Sequence, residues 1–160
     1  MLRRLATCAM FGLGACYSGF EGPGRVDSVL PPDILGSALT PTDAAVLCAA
    51  RDNFFNNLLT DDDLHHYVCV IQASSAPDCL TAYDSCISMD YERDPPSPTC
   101  ALTFDITTCQ ATIAEIEDCL TAMNLRAIDY YQNISCNSQA SPPAPLPACE
   151  AIKPVCPGVG

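Results

Sequence analysis

Tryptophan is absent, and phenylalanine and tyrosine bring the aromatic share to only 7 %. A core stacked from large rings is therefore excluded. Leu, Ile, Val and Ala must build it, and the 49 % hydrophobic content is well above that of disordered chains. Basic residues are scarce too: seven Lys and Arg face 19 Asp and Glu, for a formal charge of −12. So acidic a body repels phosphate backbones and anionic headgroups, which argues against nucleic-acid binding and against electrostatic attachment to a membrane. No C-x-x-C occurs, which removes the thioredoxin-type redox motif and the tight cysteine pairs of zinc sites. G-x-S-x-G, H-E-x-x-H and phosphate-binding glycine loops are missing as well. No enzyme, cofactor or metal is expected.

Cysteine, by contrast, is abundant, at 12 of 160 residues. The closest pairs, Cys79/Cys86 and Cys149/Cys156, are seven positions apart. A cytosolic chain would have to keep all of them as thiols. Disulfides formed in an oxidising compartment are the expected use. The length suits one ordinary domain.

The first 16 residues read MLRRLATCAMFGLGAC. Arg3 and Arg4 form a positive start, an apolar stretch runs from Leu5 to Ala15, and no acidic residue appears before Glu21. As a helix this stretch covers only ~16 Å, too short for a hydrocarbon core of roughly 30 Å but the right length for a signal-peptide centre. It ends in Leu13-Gly14-Ala15-Cys16, which resembles the bacterial lipobox. The resemblance implies that residues 1–15 are a signal peptide and that Cys16 is diacylated to become the mature N-terminus. Because Tyr17 is not Asp, it also implies outer-membrane sorting in a cell with two membranes. The membrane, reached through lipid on Cys16, is then the one expected partner, and no protein partner can be named. An ordinary secretory signal with the chain released is the alternative, and a mitochondrial presequence a third reading. Cysteine parity favours the anchor. With Cys8 removed and Cys16 lipidated, ten remain: Cys48, Cys69, Cys79, Cys86, Cys100, Cys109, Cys119, Cys136, Cys149 and Cys156. Ten can close five bridges, whereas retaining Cys16 unmodified would leave one thiol over.

The expected fold is all-α: a small disulfide-stapled bundle of about four helices with a Pro-rich tail. Residues 16–39 read as a tether rich in glycine and proline, although Ile34, Leu35 and Leu39 offer the alternative of packing on the domain edge. Residues 40–136 read as the cysteine-rich helical domain, and 137–160 as a proline-rich tail pinned by Cys149 and Cys156. Thr40-Pro41 with Asp43 opens a first helix through Leu47, Arg51, Phe54, Phe55, Leu58 and Leu59, ended by Thr60. Thr60 caps a second, with Asp61, Asp62 and Asp63 in its first turn and Leu64, Tyr67, Val68 and Ile71 as its stripe. So short a link predicts an antiparallel hairpin, and a Cys48–Cys69 bridge across it. A third helix follows Pro77-Asp78, carrying Cys79, Ala82, Tyr83, Cys86 and Ile87; Cys79 and Cys86 would stand ~10 Å apart along its axis, too far to bridge. Asp105 can cap a turn holding Cys109, and Thr112 with Glu115 opens the longest helix, its face formed by Ile113, Ile116, Leu120, Met123, Ala127 and Tyr130 and its end near Asn133.

Asp78-Cys79-Leu80-Thr81-Ala82 recurs as Asp118-Cys119-Leu120-Thr121-Ala122, each nine residues after another cysteine, Cys69 and Cys109. This reads as a weak duplication in which a cysteine near one helix end precedes a capped helix carrying the second. Among candidate sites, His65 and His66 follow three aspartates, and Asp62 with His66 has i, i+4 spacing, yet a capped helix start with surface histidines is the simpler reading. Asp90, Glu92 and Asp94 alternate like a calcium loop but lack its glycine and its closing glutamate. Asn133-Ile134-Ser135 fits a glycosylation acceptor, a pattern common by chance. The mature part resembles the cysteine-rich helical lipoproteins that some bacteria encode in numbers, through its cysteine-studded short helices and phrases such as Phe104-Asp105 and Glu117-Asp118-Cys119-Leu120. That likeness implies no activity. The expected function is a non-enzymatic cell-envelope lipoprotein with a binding or structural role; a secreted cysteine-rich effector or a small-ligand or metal carrier is the alternative.

Overall fold

The computed structural model describes residues 24–93, 102, 104–138 and 143–159. These residues fold into five α-helices: α1 (Pro41–Leu58), α2 (Asp61–Ala73), α3 (Cys79–Ile87), α4 (Ile113–Asn133) and α5 (Pro147–Ile152). Short 3-10 turns lie at Gly36–Ala38 and Ile106–Thr108, and no strand is present among the described residues. The fold is all-α and disulfide-stapled.

Local chemistry sets the helix starts. Thr40, Thr60 and Thr112 each accept the backbone N–H three residues on, and Asp43, Asp63 and Glu115 return a bond to the cap's own N–H. These are three complete capping boxes. Asp78 caps α3 through Thr81, and Asp105 caps the second 3-10 turn through Thr107. Each of these carboxylates lies below its ordinary range because a threonine hydroxyl and backbone N–H groups favour the charged form.

The longest helix, α4, is the central element. Ile113, Ile116, Cys119, Leu120 and Ile128 are buried on it. Helices α1, α2 and α5 pack against α4, and α3 packs against α2. Its buried face departs from expectation at the far end: beyond Leu120 it runs through Asn124 and Ile128, while Tyr130 is 52 % exposed. Asn124 is buried because its amide donates to the Arg51 carbonyl of α1 at 3.1 Å.

The expected α1–α2 hairpin does not form. Leu59 and Thr60 are extended and turn α2 away from α1, so that α2 packs chiefly on α3. The two helices meet through Tyr131 of α4, which contacts Phe55 of α1 at a ring separation of 5.8 Å and Tyr67 of α2 at 4.1 Å. A Cys48–Cys69 bridge is thereby overturned: Cys69 pairs with Cys86, joining α2 to α3. Cys79 at the start of α3 pairs with Cys136 beyond α4, so Cys79 and Cys86 hold the two ends of one short helix to different neighbours. Cys109 pairs with Cys156, and Cys119 with Cys149. Cys48 is disulfide-bonded as well. Cys16 and Cys100 lie outside the described residues. The sequence duplication is not a structural one, since Asp78 is a helix cap while Asp118 sits inside α4.

Both ends of the described chain belong to the core. Val26 is fully buried, and Ile34 and Leu39 pack against the central cluster with Leu47, Ile113 and Ile116. From Gly24 onward the segment read as a tether is therefore part of the domain. Four backbone bonds fix it to the approach to α4: Gly36 N–H to Ala111, Ser37 N–H to Cys109, Ile113 N–H to Ile34 and Ala114 N–H to Pro32. Gly36 is tightly enclosed, since an added Cβ would lie 3.0 Å from Ile116 Cδ1 and 3.1 Å from Cys109 Cβ. The tail contributes Cys149, Ile152, Cys156 and Val159 to the same core.

Candidate functional site

Three places on the domain bring chemically capable side chains together. The first is the clasp between the N-terminal segment and α4. The Glu117 carboxylate, 6 % exposed, accepts from the Ser28 N–H at 2.8 Å, the Ser28 hydroxyl at 2.6 Å and Arg25 at 3.1 Å. Thr121 adds a bond from the Val26 N–H at 2.9 Å. A buried carboxylate so fully engaged holds structure in place. Directly after Ser28, Val29 stands 86 % exposed at a φ of 58°. The Asp27 carboxylate accepts its N–H at 3.0 Å and keeps it in this left-handed conformation, which a β-branched residue adopts only under strain.

The second is an open groove of about 640 Å³ between the second half of α4 and the segment at Pro143 and Ala144, floored by Met123, Ala127 and Tyr130. Arg126 crosses it to donate to the Ala144 carbonyl. Asp129 is bonded by the Asn133 amide at 2.9 Å, and Ser138 donates to or accepts from Ser135. The groove offers apolar contact and no nucleophile–base pair. Asn133, the candidate glycosylation acceptor, is therefore committed to Asp129 at the end of α4.

The third lies on α2 and α3. His66 Nε2 donates to the Ile134 carbonyl at 2.8 Å, leaving Nδ1 to accept the Tyr83 hydroxyl at 2.9 Å. Both ring nitrogens are thus used to hold α2, α3 and the chain after α4 together. Asp62 and His66 are consequently not a ligand pair. Asp63 serves its capping box and takes a further bond from Gln132. Nearby, burial raises the Tyr131 phenol above its ordinary range, with Tyr67 and Tyr130 adding to the effect. His65 points elsewhere: its ring stacks on Tyr91 at 4.9 Å, and a ring nitrogen lies within 4.8 Å of the Cys69 and Cys86 sulfurs. His65 and Cys69 stand four apart on one face of α2, a spacing legible in the sequence but masked there by the more conspicuous aspartates beside His66. Of the expected calcium-like trio, Asp90 and Glu92 lie in irregular chain after α3, and Asp94 falls outside the described residues.

Among the described residues, every buried side-chain nitrogen and oxygen has a hydrogen-bond partner. No helix among them is long and apolar enough to cross a membrane. Comparison with known proteins brings no relative: no family model, no curated protein and no solved structure matches the chain.

Proposed function

We propose that the chain is a non-enzymatic cell-envelope lipoprotein, anchored through lipid on Cys16, whose helical domain serves as a rigid binding or structural module. The observation that carries this reading is Leu13-Gly14-Ala15-Cys16 behind a basic start and an apolar stretch. An amide-linked acyl chain and a thioether-linked diacylglycerol each bury many methylenes at ~0.8 kcal/mol apiece, enough together for stable anchoring. The nine cysteines among the described residues are all in disulfides, in keeping with a rigid, covalently stapled module. Tyr17, which is not Asp, supports outer-membrane sorting in a two-membrane cell, as the lipobox resemblance implies.

The packing of residues 24–39 adds a consequence. Only eight peptide links separate Cys16 from Gly24, so the leash is at most about 29 Å long. The domain is held within that reach of the bilayer. Mass spectrometry of the mature N-terminus tests the assignment. A Cys16 bearing diacylglycerol and an amide-linked acyl chain supports it; an unmodified N-terminus, or one that retains residues 1–15, refutes it.

A further inference from the structure

We propose that opening the Cys69–Cys86 bridge creates a zinc site formed by His65, Cys69 and Cys86. The three donor atoms already lie within 4.8 Å of one another. Tetrahedral zinc with two thiolates and an imidazole needs donor separations of about 3.5–3.8 Å, so His65 has to approach by roughly 1 Å while the freed sulfurs part. His65 and Cys69 are one turn apart on α2, and Cys86 faces them from α3. The Gln72 amide oxygen, at i+7 from His65 on the same face, lies 3.7 Å from the Cys86 sulfur and can supply the fourth ligand in competition with water. The donor set is soft and favours zinc over calcium or magnesium.

Among the described bridges, this one constrains the denatured chain least. It closes the shortest described loop, 17 residues against 30, 47 and 57 for the others. Helices α2 and α3 remain packed on each other without it, and the Cys79–Cys136 bridge and the His66–Tyr83 bond still tie α3 down. The chemistry is a thiol–disulfide exchange with a dithiol reductant. Two electrons pass to the Cys69–Cys86 disulfide, the reductant closes its own disulfide, and the two new thiols lose their protons as zinc binds. His66 takes no part, since both its nitrogens are engaged.

The test treats the native full chain with a dithiol, removes the reductant without oxygen, adds zinc chloride, and maps by alkylation which cysteines the metal protects. Protection of Cys69 and Cys86 in the wild type, lost in H65A together with a drop in zinc affinity of about tenfold or more, supports the site. H65A removes only a half-buried side chain, and its unaltered oxidised fold is checked by circular dichroism. The proposal is overturned if the bridge stays closed under native reduction. Protection confined to other cysteines, or zinc uptake unchanged by H65A, overturns it equally.

Discussion

Ser28 donates both its backbone N–H and its hydroxyl to a single carboxylate oxygen of Glu117, at 2.8 and 2.6 Å, across 89 positions of sequence. This one residue of α4 thereby fixes the N-terminal segment of the described domain to the core. Glu117→Ala leaves the Ser28 groups buried without a partner and is expected to cost about 2–4 kcal/mol in urea unfolding. Proteolysis checks the location of the damage: the variant becomes cleavable after Arg25, while α4 stays intact. An unchanged urea midpoint would show that the clasp is not needed.

Acid sensitivity follows from the capping boxes. Asp43, Asp63 and Glu115 are held below their ordinary values of 3.8, 3.8 and 4.5 by threonine hydroxyl and backbone bonds. A carboxylate depressed on folding stabilises the protein above its unfolded value, and the gain disappears as pH falls through its folded value. The melting temperature is therefore expected to be level from neutral pH down to about 5 and to fall progressively below about 4. Thr112→Ala removes one cap at a cost of about 1 kcal/mol at neutral pH and makes the acid decline shallower.

Glycine and valine are exchanged, in effect, at two positions of the N-terminal segment. Gly36→Ala drives a methyl group against Ile116, Cys109 and Ile106 at 3.0–3.1 Å and is expected to destabilise by about 1–3 kcal/mol. Val29 has the opposite problem, a branched side chain at φ 58° in open solvent. Val29→Gly relieves strain of about 1 kcal/mol or more, so it should raise the melting temperature or leave it level in spite of the added chain entropy. Thermal melts of both variants check the pair.

Loop length ranks the bridges. Removing Cys79–Cys136, with its 57-residue separation, should cost about 1 kcal/mol more than removing Cys69–Cys86 at 17, if denatured-chain entropy governs the difference. Double-alanine variants compared at their urea midpoints measure it.

Helix boundaries were legible because their signals are local. Thr40, Thr60, Asp78, Asp105 and Thr112 each announce a cap with the partner two or three residues away, and all five act as caps. Packing partners were not legible. A short Leu59-Thr60 link is compatible with a hairpin, but the extended backbone there lets Tyr131 draw both helices onto α4 instead. The Cys48–Cys69 expectation failed with the hairpin it was built on. Val26, Ser28 and Glu117 carry no periodic signal, and the docking of residues 24–39 rests on contacts such as Ser28 with Glu117, 89 positions apart. In the same way, His65 acquires chemical neighbours only when α3 brings Cys86 to it.

Peptide mapping of the unreduced protein, alkylated in denaturant, tests most directly whether the sulfurs serve as staples. Linked peptides joining Cys69 to Cys86, Cys79 to Cys136, Cys109 to Cys156 and Cys119 to Cys149, with no alkylated Cys48, are the expected result. Alkyl groups on these nine cysteines in the native oxidised protein, or a different set of linked pairs, would contradict the account.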